Sequence, residues 1–427
     1  MPSGVQTTLS SHCHDGRYLH PASISTLYPI ITRSLSFLIL ILISLSLTVD
    51  TYHNSTYSSS NMRLVNVLAL VGLPFLSLAL PNPAAQDEGT GTGTWSTLAP
   101  IPDFTRQEHI TVVLSPTTFA IIGGIIPDSQ QPGNISTTGL VQIYNATSNS
   151  WRSVASAPVP LNHPNAAAVN GDIYLLGGLE AAPDGMWRAT PACWVWESAK
   201  DKWRAIEPMP APEARGSAVT AVHDGIIYLA GGMTVLELFA GGKQGTVDFV
   251  SAFDTRVGKW ITLPASAKAM PEGRDHAGGA MVGGKLYVLG GRKEGQHNVK
   301  DTVFVLNVAD RGRKGLESGW TTRHGRMPTP RGGLVAAAIG GKVFTFGGEG
   351  NTAEGSNGVF NETEVYDISE DKWQRLDPMP LPRHGLSAIS MRGKVYLPGG
   401  GTLIGGGGAV DVLDAFSPGH DVGCFSG

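Results

Sequence analysis

The chain has 427 residues, 55 of them glycine, and a formal net charge of −4 at pH 7. Its basic residues are scattered, which excludes a surface built for nucleic acid or an anionic membrane. Three cysteines (Cys13, Cys193 and Cys424) are too few for a disulfide framework or a cysteine-rich zinc site.

Two apolar stretches come first, one from Leu35 to Val49 and one from Val65 to Leu80. Both are short for a membrane span. Met62 and Arg63 give the second a basic start, and Ser77 to Ala79 fits a small-residue cleavage site. Residues 62–79 therefore read as a signal peptide, with 1–61 as a leader or an upstream extension; the competing reading is a signal anchor at 35–49. No stable membrane insertion is expected after processing, and the expected destination is the secretory lumen or the exterior. Acceptor triplets at Asn134, Asn145 and Asn361, with Asn54 in the leader, agree with that route. After cleavage Cys193 and Cys424 remain, able to pair or to stay as buried thiols. Residues 80–94, with "GTGTGT", form a linker lacking the strand–helix context of a dinucleotide site.

From Trp95 the chain repeats. Glycine doublets close apolar runs at Gly123, Gly177, Gly231, Gly290, Gly347 and Gly399, at spacings of 54, 54, 59, 57 and 52 residues. A pair of glycines weakens a strand, so its recurrence implies close approach of another backbone or unusual dihedrals. Trp95, Trp151, Trp203, Trp260, Trp320 and Trp373 keep time with the doublets. Within a repeat, "SAVTAV", "GIIYLAGG", "DFVSAFD" and "KWITLP" read as four strands joined by polar turns.

The doublet, the aromatic three residues before it, and the tryptophan ahead of the next repeat together resemble the kelch repeat. The resemblance covers residues 95–416 and implies an all-β, six-bladed propeller. Blade one departs from the pattern, with Ala120 at the aromatic position and Phe119 beside it. "AVDVLDAF" after Gly400 has no following tryptophan, so "TWSTLAP" at the front should complete blade six and leave no open edge. Residues 417–427 are left as a tail.

Strand order puts the long connections after Gly178, Gly232 and Gly348 on one face, over the axial channel, where a binding site belongs. In kelch propellers the first strand of each blade lines that channel. Counting sixteen residues back from each doublet gives Gln107, Leu161, Arg215, Arg274, Arg331 and Arg383; counting fourteen gives His109, His163, Ser217, His276, Gly333 and Gly385. His163, His276 and His109 are the candidate acid–base residues, because imidazole donates, accepts and moves protons near neutral pH. Arg274, Arg331, Arg215 and Arg383 are candidate substrate donors; the competing role is bonding to carbonyls and carboxylates of their own fold. Trp187 is a candidate wall. Carboxylates look scarce in this tier, so no metal site is expected, and no cofactor.

No Tyr-His pair of the copper-radical kelch oxidases occurs in the propeller. The spaced Glu, Asp and His iron ligands of plant specifier proteins fail at Ala205. The remaining likeness is to secreted fungal kelch proteins, some of them hetero-Diels–Alderases that join a tropolone-derived quinone methide to a terpene. It implies a cofactor-independent cyclase or isomerase binding a small organic molecule in the funnel, as a monomer. A sugar mutarotase like the bacterial sialic-acid kelch enzymes is a second enzymatic reading. A glycan- or protein-binding module without turnover is the alternative from another class.

Overall fold

A computed structural model describes residues 93–128, 134–239, 242–309 and 316–419. The two apolar stretches, the leader, Asn54, Cys13 and Cys424 lie outside the described residues.

The described chain is a ring of six antiparallel blades, five of them four-stranded and blade two extended to six strands, with a separate two-strand ribbon, Ile125–Pro127 and Ile135–Thr137, after blade one's doublet. Blade three is typical, running outward from Val219–His223 through Ile226–Ala230 and Val250–Asp254 to Lys259–Ile261. Blade six takes three strands from the end of the ring, Ile389–Met391, Lys394–Pro398 and Leu413–Pro418, and its outer strand, Gly93–Thr97, from the beginning. Gly93 lies opposite Pro418, Trp95 opposite Phe416 and Thr97 opposite Asp414. The closure read from the orphan strand is therefore the one found, and neither end of the ring is left as an open edge.

The repeated residues stitch neighbouring blades at two radii. Near the axis, the amide of the second glycine donates to a carbonyl of the next blade: Gly124 to Leu161 (2.8 Å), Gly232 to Arg274 (2.7 Å), Gly291 to Arg331 (3.0 Å), Gly348 to Arg383 (3.1 Å) and, across the closure, Gly400 to Arg106 (2.8 Å). In blade two the strand runs on through Gly178, and the Asn165 amide donates to Arg215 O instead (2.7 Å). The first glycine of each doublet leaves room for this approach. At Gly347, whose φ is +54°, an added Cβ would overlap the Arg383 carbonyl oxygen.

At the rim, each tryptophan donates its indole N–H to a carbonyl of the preceding blade, as in Trp151 to Ala99 O (2.9 Å) and Trp203 to Ala155 O (2.8 Å). Trp95 does the same to Asp377 O (3.4 Å), tying the N-terminal strand to blade five. Between these radii, apolar side chains of adjacent blades form six clusters, one at each interface. Burial of these faces is the main stabilising term, and it is shared by neighbours, so no blade has a core of its own.

Two local departures matter. Phe119, fully buried, packs against Tyr144 (5.1 Å between centroids), Trp151 (5.6 Å) and Tyr396 (5.7 Å) at the interface with blade six, whereas Ala120, on the opposite face, leaves the repeat's aromatic place toward blade two to a small side chain. The connections expected as long loops in blades two and three are partly strand. Asp172–Ala181 and Trp187–Glu197 extend one hairpin beyond blade two, and Met233–Leu236 pairs with its edge, Trp187 facing Leu236. The β-branched and apolar run "MTVL" suits that edge, where it covers apolar surface with a hydrogen-bonded backbone. Cys193 lies in this hairpin as a buried free thiol, and burial pushes its pKa up to about 12.

If backbone approach is what demands the doublets, Gly347→Ala should lower the unfolding free energy by about 3 kcal/mol, strain and overlap together. Gly355→Ala, with φ +78° but open space around it, should cost about 1 kcal/mol from strain alone. Urea unfolding of the two variants measures the difference, and equal losses would remove the overlap argument.

Candidate functional site

One position in each blade turns the chain from the stitched carbonyl into the inner strand: Glu108, His163, Ser217, His276, Gly333 and Gly385. All six have positive φ, at 55°, 48°, 56°, 51°, 60° and 59°. They also bond to one another around the axis. Glu108 N–H donates to Gly385 O (2.5 Å), His163 to Glu108 O (2.9 Å), Ser217 to His163 O (2.9 Å) and Gly333 to His276 O (2.9 Å). Glycine is the residue this geometry favours, and a side chain there costs about 1 kcal/mol or more of backbone strain. Four blades nevertheless carry one.

The blade-one members correct the register expected from counting. Val113 faces Phe119 and Ser115 faces Thr118, so Leu114 is an extra, bulged residue. It shifts the count by one. Arg106 and Glu108, not Gln107 and His109, occupy the two tiers. His109 is 4 % exposed, and its Cε1 lies 3.0 Å from where a Cβ on Gly399 of blade six would sit. Burial, with Arg106 nearby, pulls its imidazole down to about 3, so it stays neutral there.

The arginine tier faces into the blades. Arg215, Arg331 and Arg383 are fully buried and Arg274 is 1 % exposed. Arg215 donates to Gly231 O (2.7 Å) and Leu229 O (3.0 Å), and Arg331 to Gly347 O (2.6 Å) and the Glu364 carboxylate (2.5 Å). Arg383 reaches Asp414 (2.9 Å), and Arg274 reaches Glu272 (2.7 Å) and Thr302 (2.6 Å). These buried guanidinium groups are committed to carbonyls, hydroxyls and carboxylates of the fold, Arg215 and Arg331 reaching the carbonyl of a doublet's first glycine, which corrects their expected binding role.

The histidines do meet. His163 Nε2 lies 3.0 Å from His276 Nε2 and 3.0 Å from Glu108 Oε2. Each ring is held from behind by the residue before it: His163 Nδ1 by Asn162 Oδ1 (2.7 Å), His276 Nδ1 by Asp275 Oδ1 (2.6 Å). Arg292 donates to His276 Nε2 (3.1 Å), to Asp275 (3.2 Å) and to Glu349, which also accepts from Gly405 N–H (3.0 Å). All of these side chains are buried.

Hydrogen-bond accounting locates the protons. Arg292 can only donate, so His276 Nε2 accepts and its Nδ1–H points at Asp275. Burial, then Arg292, holds the His276 pKa below its usual value, which agrees with a neutral ring. Asn162 commits its amide N–H to Thr137 (3.0 Å), so its oxygen faces His163 Nδ1. His163 Nε2 faces a carboxylate and an imidazole lone pair. Every neighbour of His163 is thus an acceptor, and both of its nitrogens donate. Burial alone would raise Glu108 and Glu349. The imidazoles around Glu108, led by His163, outweigh that and hold it well below the carboxylate range; His384 and Arg292 pull Glu349 to about 2.

This cluster floors a cavity of about 1240 Å³, walled by the hairpin extensions and by Trp187, Leu236, Leu238 and Phe239. Trp187, expected as a wall, stands 5.6 Å from the His163 ring. A smaller space of about 250 Å³ runs down the axis below Glu108, His163 and His276, between the inner strands. Asn134 is exposed at the cavity lip, whereas Asn145 and Asn361 are half-buried, Asn145 capping a turn through Thr147 N–H (2.8 Å).

Comparison with known proteins agrees with this architecture. The model of the KLHDC2/KLHL20/DRC7 Kelch-repeats domain matches residues 235–416. Kelch-like protein terF of Aspergillus terreus is 38% identical over 331 residues, which cover 76% of this chain and 68% of that protein. The chain belongs to the kelch-repeat β-propeller family. Beta-scruin of Limulus polyphemus is 26% identical over 275 residues; the kelch chain spans only 28% of its length. A solved structure, "Structure of YjhT", has a TM-score of 0.59 with this kelch ring at 17% identity, covering 74% of this chain and 95% of that one, a likeness of fold.

Sequence reasoning missed Glu108, Arg292 and Glu349. Arg292 and Glu349 directly follow a glycine doublet, where the other kelch blades carry Ile125, Leu179, Met233 and Gly401. A charge at that place was the available signal. Because Arg292 neutralises two buried carboxylates, Arg292→Met should destabilise the propeller by about 3 to 5 kcal/mol. Arg292→Met with Glu349→Gln should recover part of that loss. Urea unfolding of both variants checks the pair, and an Arg292→Met protein as stable as wild type would contradict the charge assignment.

Proposed function

We propose that this kelch propeller is an isomerase or cyclase that takes a small oxygenated organic molecule into the hub cavity and converts it by proton transfer. The observation that carries the reading is the meeting of His163 Nε2 with Glu108 Oε2 and His276 Nε2, each at 3.0 Å from it, at the floor of the part-apolar cavity. His163 serves as general acid toward a substrate oxygen. Glu108 stabilises the imidazolium and orients it, and His276, neutral and backed by Asp275, takes a proton in return. The Arg292 guanidinium, beside His276, favours negative charge developing on a substrate oxygen. Trp187, Leu236 and Phe239 supply apolar surface that holds carbon skeletons in reacting geometry. Such a reaction needs no redox or group-carrying cofactor, since substrate and product have the same oxidation level.

A cyclisation in which an acid expels water to form a reactive diene, trapped by an olefin, is the narrower version. It rests on the likeness to fungal kelch proteins, and a cavity of about 1240 Å³ has room for two reactants. Sugar mutarotation would use the same acid and base. We further propose that the propeller is a monomer that travels the secretory route, with Asn134, Asn145 and Asn361 as acceptors; a mobility shift on removal of N-glycans from protein expressed in its host tests that route.

The test of catalysis is conversion in D2O of candidate reducing sugars and hydroxylated aromatic ketones, followed by NMR. Wild-type protein should turn over one class, seen as faster anomer interconversion for a sugar or as a new product for a cyclisation, with solvent deuterium entering a carbon position only if the reaction is an isomerisation at carbon. His163→Gln should lower kcat by about 10² to 10⁴ with substrate still bound. Binding of a glycan without turnover, unchanged in His163→Gln, would favour the binding module and end the proton-transfer reading.

A further inference from the structure

The hub also has the geometry of a metal centre. We infer that His163 Nε2, His276 Nε2 and Glu108 Oε2 form a binding site for one divalent first-row transition-metal ion, open toward the cavity.

Three observations carry this, and none needs the propeller to be a catalyst. The first is convergence. The three donor atoms lie within 4.8 Å of one another, and among the described residues this is the group of histidine, cysteine and carboxylate side chains so arranged. Two ligands each about 2.1 Å from one ion, at right angles, stand about 3.0 Å apart. His163 Nε2 stands 3.0 Å from both of the other donors. The pattern is two imidazoles and one carboxylate on one face, with the remaining positions facing the cavity, an arrangement that suits zinc or ferrous iron.

The second is orientation. Metal-bound imidazoles donate their other N–H to a fixed acceptor, which aims the coordinating lone pair. Both rings have such an acceptor on Nδ1, Asn162 at 2.7 Å and Asp275 at 2.6 Å. Asp275 is itself held by Thr246 and Arg292, so the support has two layers.

The third is charge. Glu108 supplies a carboxylate oxygen among the donors and shares the buried cluster with Asp275 and Glu349, faced by the Arg292 guanidinium and by His384 Nδ1, which lies 3.8 Å from Glu108 and 3.6 Å from Glu349. Two imidazoles and a carboxylate set among further carboxylates favour a cation. Arg292 is the opposing group, 3.1 Å from His276 Nε2. It keeps Asp275 and Glu349 as partners when that contact opens. Since metal and proton occupy the same lone pairs, the metal-loaded hub has no Nε2 left for proton transfer, and metal acts as a brake on the chemistry proposed above.

Co2+ titration of the chelator-treated protein, followed by visible absorption, tests the site. One equivalent should give the bands of a low-symmetry cobalt site. His163→Gln, His276→Gln and Glu108→Gln should each weaken binding at least 100-fold, Asp275→Asn about tenfold, and the distant His223→Gln not at all. In wild-type protein, one equivalent of Zn2+ should move the Nε2 but not the Nδ1 imidazole resonances of two histidines in 1H–15N spectra, a readout independent of variant folding. Absence of a one-equivalent cobalt spectrum, Zn2+ shifts at other histidines, or binding that survives in His163→Gln with His276→Gln would overturn the site. Conversion that requires the ion would keep the site and overturn the proton-transfer reading, whereas conversion that rises on chelation supports both.

Discussion

Close approach of one blade's main chain to the next, near the axis, is the constraint on which the rest of the ring depends. The amide of a second glycine meets the carbonyl of residue 161, 274, 331, 383 or 106 in the following blade. A Cβ on the first glycine would occupy that carbonyl's space. Two residues beyond the bonded carbonyl the chain must turn back into its own inner strand, and it does so with positive φ. The doublet and the strained hub residue are therefore two ends of one contact, separated by a blade boundary. Made by five blades, replaced in blade two by the Asn165 side-chain amide, and closed through Gly400 and Arg106, the contact fixes the radius of the hub.

That radius brings residues far apart in the chain within reach of one another. His163 and His276 are 113 positions apart, yet their Nε2 atoms touch. Each sits at the bend that leads into an inner strand, is anchored through its own backbone to a neighbour, and has a polar residue directly before it to set its ring. Precision of this kind is hard to obtain from loops alone. The variable connections supply the walls and roof, in part as a strand added to the blade-two hairpin, so the cavity floor is rigid while its shape is set by separate segments.

The fold was legible because every element of the contact repeats: glycine doublets, tryptophans and aromatic residues recur in phase, and the orphan strand containing Trp95 announced the closure. The site was legible only in part. His163 and His276 lay in register and Trp187 lay in a suspect connection, but the arginines in that same register proved to be internal ties. Their chemistry is the same whether they face a ligand or a carbonyl, and sequence carries no sign of which way they turn. Glu108 was hidden by the single bulged residue Leu114, which breaks the count in one blade without disturbing any doublet. Arg292 and Glu349 lie where the repeat ordinarily places small or apolar residues, and only comparison among the blades marks them.

The hub cluster is not required by the architecture that holds it. Gly333 and Gly385 make the same turn, at φ values of 60° and 59°, and join the same ring of backbone contacts without side chains. Glutamate and histidine in that conformation add strain, and three buried carboxylates with one guanidinium add a desolvation cost that apolar residues would avoid. Structural histidines would be served by one backbone partner each. Here both Nε2 atoms are instead turned toward each other and toward a carboxylate, with their Nδ1 sides secured, and the whole faces a cavity. An arrangement that gives up stability to bring three donor atoms to one point agrees with the proposal that the hub holds a small cation, whether proton or metal.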